Sequence, residues 1–195
     1  MLLRQATMAD LPQIESIIRD GRELLAAQAI DQWQGSYPNT SILVDDIHQG
    51  WTVVLEENNE ILGTAAIIPG EDPTYKEIEG QWLTKQAPYL AIHRVAVSSH
   101  HHGRGLAGEL FQRLFDQIDH AANIESVRID THPQNMAMQH VIKKNGFSET
   151  GTIDLTAAGL PGTKDFAYER LTVNANPAHV VATATVKINK GFLYY

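Results

Sequence analysis

The sequence contains no cysteine. Disulfides, thiolate nucleophiles and cysteine-ligated metals are excluded, so any chemistry must come from His, Asp, Glu, Ser, Thr, Tyr or backbone groups. Long apolar runs are also missing: none approaches the roughly 20 residues that cross a bilayer. The opening MLLRQATMAD has neither a basic n-region nor a small-residue cleavage site. A cytoplasmic protein with no membrane partner is the expectation. Cations are scarce, with 15 Lys and Arg against 23 Asp and Glu for a formal net charge of −8. No long basic stripe supplies the counterion release on which an extended nucleic-acid surface depends, so no nucleic-acid partner is expected. A cationic small molecule is admissible, and so is an anionic cofactor, because a backbone nest or helix N-terminus binds phosphate even inside an acidic protein.

What is present suits one globular domain: 195 residues, 43% hydrophobic and 19% charged. Residues 2–6 read as a short strand, and Thr7 or Asp10 can cap a helix whose Leu11, Ile14, Ile18 and Leu25 follow helical spacing. A second short helix is predicted over 41–48, ended by Gly50. Strands at 52–56 and 61–68 form a hairpin. The segment 70–88, rich in acid and carrying Tyr75 and Trp82, is too long for a minimal connection, and such loops are often functional. A strand over 89–97 runs through HHGRGLAG into a helix with Leu106, Leu110, Leu114 and Ile118. A strand at 127–131 and a helix at 135–145, stopped by Gly146, complete a strand, helix, strand order that implies a parallel pair. Strands at 147–155 and 165–173 close a domain of residues 1–173. Residues 174–195 form an extension in which 180–188 has strand-like composition, suited to an edge strand, a swapped arm or a homodimer element.

A loop that closes a strand and opens a helix presents unpaired N–H groups at the positive end of the helix dipole, which suits a pyrophosphate. Gly103 and Gly105 would let backbone and ligand approach without an intervening Cβ. Alone, such a loop is more often simply a turn. Its spacing is neither the G-x-x-x-x-G-K of a nucleotide triphosphatase nor a dinucleotide fingerprint with an acidic ribose binder.

The strings VAV at 95–97 and HGRGLA at 102–107 resemble the GNAT superfamily of N-acetyltransferases, whose pyrophosphate loop reads Q/R-x-x-G-x-G/A after a strand ending in a hydrophobic-Ala-Val triplet. VRIDTHPQN leading into a helix that ends KKNGF, with Asn135 eleven residues before Gly146, continues the resemblance, and RQATMAD extends it to the first strand and helix. The fold implied is α/β (α+β): a mixed, mostly antiparallel sheet of six or seven strands, splayed between the 89–97 and 127–131 strands, with helices on both faces. The co-substrate implied is acetyl-CoA. Its pyrophosphate would lie over His102, Gly103, Arg104, Gly105, Leu106 and Ala107, its pantetheine along Val95, Ala96 and Val97, with Asn135 at the same site. A primary amine, small or peptide-borne, would attack the acetyl carbonyl directly in a ternary complex. Two residues depart from the pattern. His102 replaces the usual Gln or Arg at a position that acts largely through its backbone, and Ile142 stands where many members carry the Tyr that protonates the departing thiolate.

The attacking amine must be neutral, so a base or a proton-draining water path is expected near the reacting carbon. His93, four residues before Val97, has the offset of a histidine in arylalkylamine N-acetyltransferases, although a strand histidine is as easily satisfied by a neighbouring carbonyl. Asp130, five residues before Asn135, falls where ribosomal-protein acetyltransferases carry a Glu, although an Asp closing a strand is more often a cap or an ion-pair partner. His100, His101 and His102 diverge along an extended loop, so no metal centre is expected. Arg94, Arg104 and Lys143 can reach phosphates or merely be solvated. Trp33, Tyr37, Tyr75 and Trp82 can wall an acceptor pocket or anchor loops. Glu71, Asp72, Glu77 and Glu79 beside the last two would attract a cation. The alternative function is a non-catalytic acyl-CoA sensor, favoured by Ile142. An interaction protein built on the C-terminal tail would bind no coenzyme A at all.

Overall fold

The computed structural model describes residues 1–101, 103–121, 123–160 and 162–181. Alternation along the hairpin Thr52–Glu57 (β2) and Glu60–Pro69 (β3) separates two cores, because successive strand side chains point to opposite faces. Val54 and Ile61 face one side, where helices Leu11–Ala27 (α1) and Thr40–His48 (α2) bury Ile14, Ile17, Ile18, Leu43 and Ile47. Leu55 and Leu62 face the other, under Leu106–Ile118 (α3) with Leu110, Phe111 and Leu114, and under Met136–Lys144 (α4) with Ile142. Helices therefore cover both faces, as expected. No described helix is long and apolar enough to cross a membrane.

The remaining strands are Leu2–Gln5 (β1), Glu79–Gly80 (β4), Tyr89–Val97 (β5), Ser126–Thr131 (β6), Ser148–Asp154 (β7) and Lys164–Leu171 (β8). They form one sheet in the order β1-β2-β3-β5-β6-β8-β7-β4, and only β5 and β6 pair in parallel. The sheet has eight strands, not the six or seven expected. The extra one is β4, two exposed residues from the long 70–88 connection that pair with β7 at Glu79↔Thr152 and Gly80↔Gly151. Two residues, one charged and one glycine, carry no strand periodicity to read.

The splay forms where expected. The parallel pairing of β5 with β6 ends at Ile92↔Ile129, after which β5 stays on β3 while β6 continues on β8 to Thr131↔Phe166. A bulge helps part them. Ala66 pairs with His93 and Thr64 with Ala96, so Arg94 and Val95 together oppose Ala65, and Arg94 takes φ 55.

The 81–85 segment is pinned beneath this gap by Glu169, which is wholly buried. Its carboxylate accepts from Leu83 N, Thr84 N (3.2 Å), Thr84 Oγ1 (2.6 Å), Ser126 Oγ (2.6 Å) and Arg128 Nε (3.1 Å). Arg128 lies over the rings of Trp82 and Tyr89 at 4.2 and 4.0 Å. Trp82 also donates to Tyr75 O at 3.1 Å, so Tyr75 and Trp82 are buried loop anchors. The chain after β8 returns to the same segment: Lys85 N donates to His179 O at 2.9 Å and Val181 N to Leu83 O at 2.8 Å. Of the strand expected over 180–188, Val180 bridges Thr84, and residues 182–188 lie outside the described residues.

Candidate active site

The bulge places Arg94 in the left-handed region of the backbone. A non-glycine residue in the left-handed region costs about 1–2 kcal/mol, and here a buried ion pair holds it. Arg94 Nε lies 2.6 Å from Asp46 Oδ2, Nη2 donates to Asp46 Oδ1 at 2.9 Å, and Nη1 donates to Tyr37 Oη at 2.8 Å. Burial pushes the Asp46 carboxyl up, against the pull of Arg94. Arg94 therefore ties α2 and Tyr37 to β5 through a guanidinium engaged by both.

His93 and Asp130, predicted as rival bases, meet in one cluster. His93 Nε2 lies 2.8 Å from Asp72 Oδ2, and Nδ1 lies 3.9 Å from Asp130 Oδ1. The imidazole stacks on the Tyr75 ring at 5.7 Å. Burial works to raise the Asp72 carboxyl, but hydrogen bonds from His93 and from Thr74 N and Oγ1 outweigh it and hold Asp72 at about 2. An ionised Asp72 fixes a proton on Nε2, and Nδ1 is the ring nitrogen that faces Asp130. Asp130 in turn accepts from Tyr75 Oη at 2.6 Å. Burial first, then the charge of Asp130, holds the Tyr75 phenol well above its ordinary range, so it remains a donor.

Asp165, on β8, completes the cluster. Burial, then the neighbouring Asp130 carboxylate, pushes it up to about 8. A shift in that direction favours the protonated form of Asp165 at neutral pH. Asp165 was not foreseen, because its place beside Asp130 follows from the pairing of β6 with β8 rather than from a motif.

One cavity of about 620 Å³ passes through the splay. Its lining includes Asp72, His93, Asp130 and Asp165 together with Trp33, Tyr37, Val95, Ala96, Val97, Ala107, Asn135 and Val141. Asn135 is also a cap, accepting from Met138 N at 3.1 Å and donating to Gln32 Oε1 at 2.8 Å. Ile142, on α4, is fully buried in the core, so the position at which the resemblance implies a proton-donating Tyr offers no acid here.

At the other end α3 begins at Gly105, whose φ of 68 is left-handed and whose N-cap has no side-chain hydrogen bond. The N–H groups of the first turn are left to a ligand or water. A Cβ at Gly103 or Gly105 would meet nothing within 4 Å. A second cavity of about 290 Å³ lies there, lined by Gly103, Gly105, Leu106, Ala107, His140 and Lys144. Leu106 itself is buried in the core and offers backbone only. Arg104 and Lys143 are engaged elsewhere, with Glu57 at 2.7 Å and Glu149 at 3.1 Å, and line neither cavity. His102 lies outside the described residues.

The family model for Acetyltransferase (GNAT) family matches residues 18–147. The chain belongs to the GNAT acetyltransferase family. Among solved structures, a GNAT-family acetyltransferase from Streptococcus agalactiae 2603 is 32% identical with a TM-score of 0.78, over 88% of this chain and 95% of that one. A ribosomal-protein-alanine N-acetyltransferase from Brucella melitensis is 20% identical with a TM-score of 0.61, over 88% and 99%. A chain of the NatB acetyltransferase complex bound to CoA and MES is 16% identical with a TM-score of 0.60, over 88% and 99%. These last two likenesses speak to the GNAT fold alone. No curated protein sequence matches.

Proposed function

We propose that this GNAT protein is an N-acetyltransferase that moves the acetyl group of acetyl-CoA to a primary amine by direct attack in a ternary complex. The supporting observation is the continuous cavity that joins the β5 backbone at Val95–Val97 to the Asp72–His93–Asp130 cluster. The α3 N-terminus fits a pyrophosphate because its N–H groups are uncapped, Gly103 and Gly105 leave open space, and His140 and Lys144 flank the same cavity. Coenzyme A is bound by the NatB relative of the same fold.

The amine arrives as an ammonium and gives one proton to His93 Nδ1, oriented by Asp72, or to the Asp130 carboxylate. Its lone pair then forms the C–N bond, the C–S bond breaks, and coenzyme A leaves as a thiolate that takes up the second nitrogen proton. Backbone N–H groups around the bulge polarise the carbonyl. The acceptor is a small or peptide amine and the reaction is cytoplasmic, with no nucleic-acid or membrane component.

The test is calorimetry with acetyl-CoA on the wild type and on Gly105→Phe. The left-handed site adds about 1–2 kcal/mol of strain, too little to unfold a domain. The side chain enters open space, so circular dichroism should be unchanged while affinity falls at least about tenfold, the effect of losing about 1.4 kcal/mol. Absence of wild-type binding at millimolar acetyl-CoA would falsify the cofactor assignment. Unchanged affinity in the variant would move the pyrophosphate elsewhere.

A further inference from the structure

The acceptor half of the 620 Å³ cavity combines a carboxyl-lined floor with an apolar mouth, and it lacks an available cation. Asp72, Asp130 and Asp165 supply the floor. Asp165 is 3% exposed and its Oδ1 has no hydrogen-bond partner; the buried Thr131 Oγ1, in the same lining, has none either. Buried oxygens left open at a cavity wall favour a ligand that brings donors. At the mouth, Leu24 and Leu160 are 54% and 42% exposed, large apolar side chains left in water on the rim of one cavity. Trp33, Leu155, Ala157 and Ala158 extend that apolar lining.

Among the described lining residues, Arg94 is the one Lys or Arg, and its guanidinium is engaged by Asp46 and Tyr37. A carboxylate or phosphate next to the reacting nitrogen would find no free Lys or Arg and would lie beside the ionised Asp72. An ammonium would meet the carboxyl floor, and its apolar body would cover Leu24 and Leu160.

We infer that, given the acetyl-transfer reading, the acceptor is a primary amine on an uncharged apolar body, with no carboxylate or phosphate beside the nitrogen. Its ammonium sits against Asp130 and Asp165 and loses one proton to the base. Nitrogen then bonds to the acetyl carbon as the C–S bond breaks, and the coenzyme A thiolate collects the second proton. The acid floor thus serves first to attract and then to deprotonate.

The experiment follows thiol release from acetyl-CoA with 2-phenylethylamine, phenylalanine, ethylamine, spermidine and a short neutral peptide. The phenylethylamine and phenylalanine pair differs only in the carboxylate, and kcat/KM should favour the former by at least about 100-fold, the scale of a buried like-charge contact. Ethylamine, which cannot cover the mouth, should fall about tenfold or more behind phenylethylamine. The exposed double variant Leu24→Asn with Leu160→Asn removes the apolar contact without adding charge, and should raise the phenylethylamine KM about tenfold or more and leave the acetyl-CoA KM unchanged. Equal use of phenylalanine, a preference for spermidine or the peptide, or an unmoved KM in the variant overturns this substrate class while acetyl transfer stands. Binding of acetyl-CoA with thiol release to none of these amines overturns the acetyl-transfer reading itself, and the substrate class with it.

Discussion

At the scale of single residues, the cluster around His93 divides its duties by hydrogen bonding. Asp72 is a positioning residue, since its carboxylate fixes the Nε2 proton and leaves Nδ1 open. His93→Ala should lower kcat by about 10²-fold or more, the usual scale of general base catalysis, and the deficit should shrink at high pH, where the amine is already neutral. Asp72→Asn should lower kcat with acetyl-CoA affinity intact, because an amide accepts and donates and no longer dictates the tautomer. Steady-state kinetics from pH 6 to about 9.5, where the amine begins to deprotonate on its own, decides the matter. A loss confined to Asp130→Asn, with His93→Ala active, would make the aspartate the base. His93 and Asp130 were legible as candidates because each keeps a fixed offset from a recognisable string, His93 from Val97 and Asp130 from Asn135. Arg94 was not: a sequence does not reveal that one residue of a strand takes φ 55 and points its guanidinium at Asp46. Asp72 was visible only as one acid among four in its loop, and the structure selects it because Glu71 and Glu77 are exposed and Glu79 pairs with Lys164.

At the scale of elements, apolar periodicity carried most of the fold. The helices and the seven longer strands follow from runs of period 3.6 and period 2, and the splay follows from the resemblance. β4 escaped because its register rests on backbone proximity. Gly80 and Gly151 pass so closely that a Cβ on Gly80 would lie 2.8 Å from Gly151 Cα, and one on Gly151 would lie 2.9 Å from Gly80 Cα. Both sit at φ of 140 and 149, where L side chains are strained. Gly151→Ala should therefore destabilise by on the order of 3 kcal/mol, combining overpacking with backbone strain. Urea unfolding measures it. The loss should come with faster amide exchange at residues 79–81, since β4 is the element that must move, and a change below about 0.5 kcal/mol would mean that the edge pairing contributes little.

At the scale of the whole molecule, burying a reactive cluster between sheet and loops ties stability to pH. Three carboxyl groups with displaced ionisation carry that dependence: Asp10, Asp72 and Asp165. Two act in one direction. Arg4, by paired hydrogen bonds, holds the Asp10 carboxyl well below its ordinary range, and His93 and Thr74, against the effect of burial, hold Asp72 at about 2. A folded value below the unfolded one gives stability that is present above the unfolded value and is lost as pH falls through the folded one. Asp165 acts in the other direction. Its folded value of about 8 lies above the ordinary 3.8, so its contribution is full below 3.8 and is lost as pH rises towards 8. The protein should accordingly be most stable in mildly acid solution. Asp165→Asn keeps the shape and removes the ionisation, so its stability relative to the wild type should grow steadily from pH 4 to about 8 and then level off, the plateau following from the folded value. Urea unfolding of both proteins across that range tests it. A difference that does not change with pH would mean that Asp165 titrates normally, and a difference that shrinks with rising pH would mean that its charged form is the one the fold stabilises.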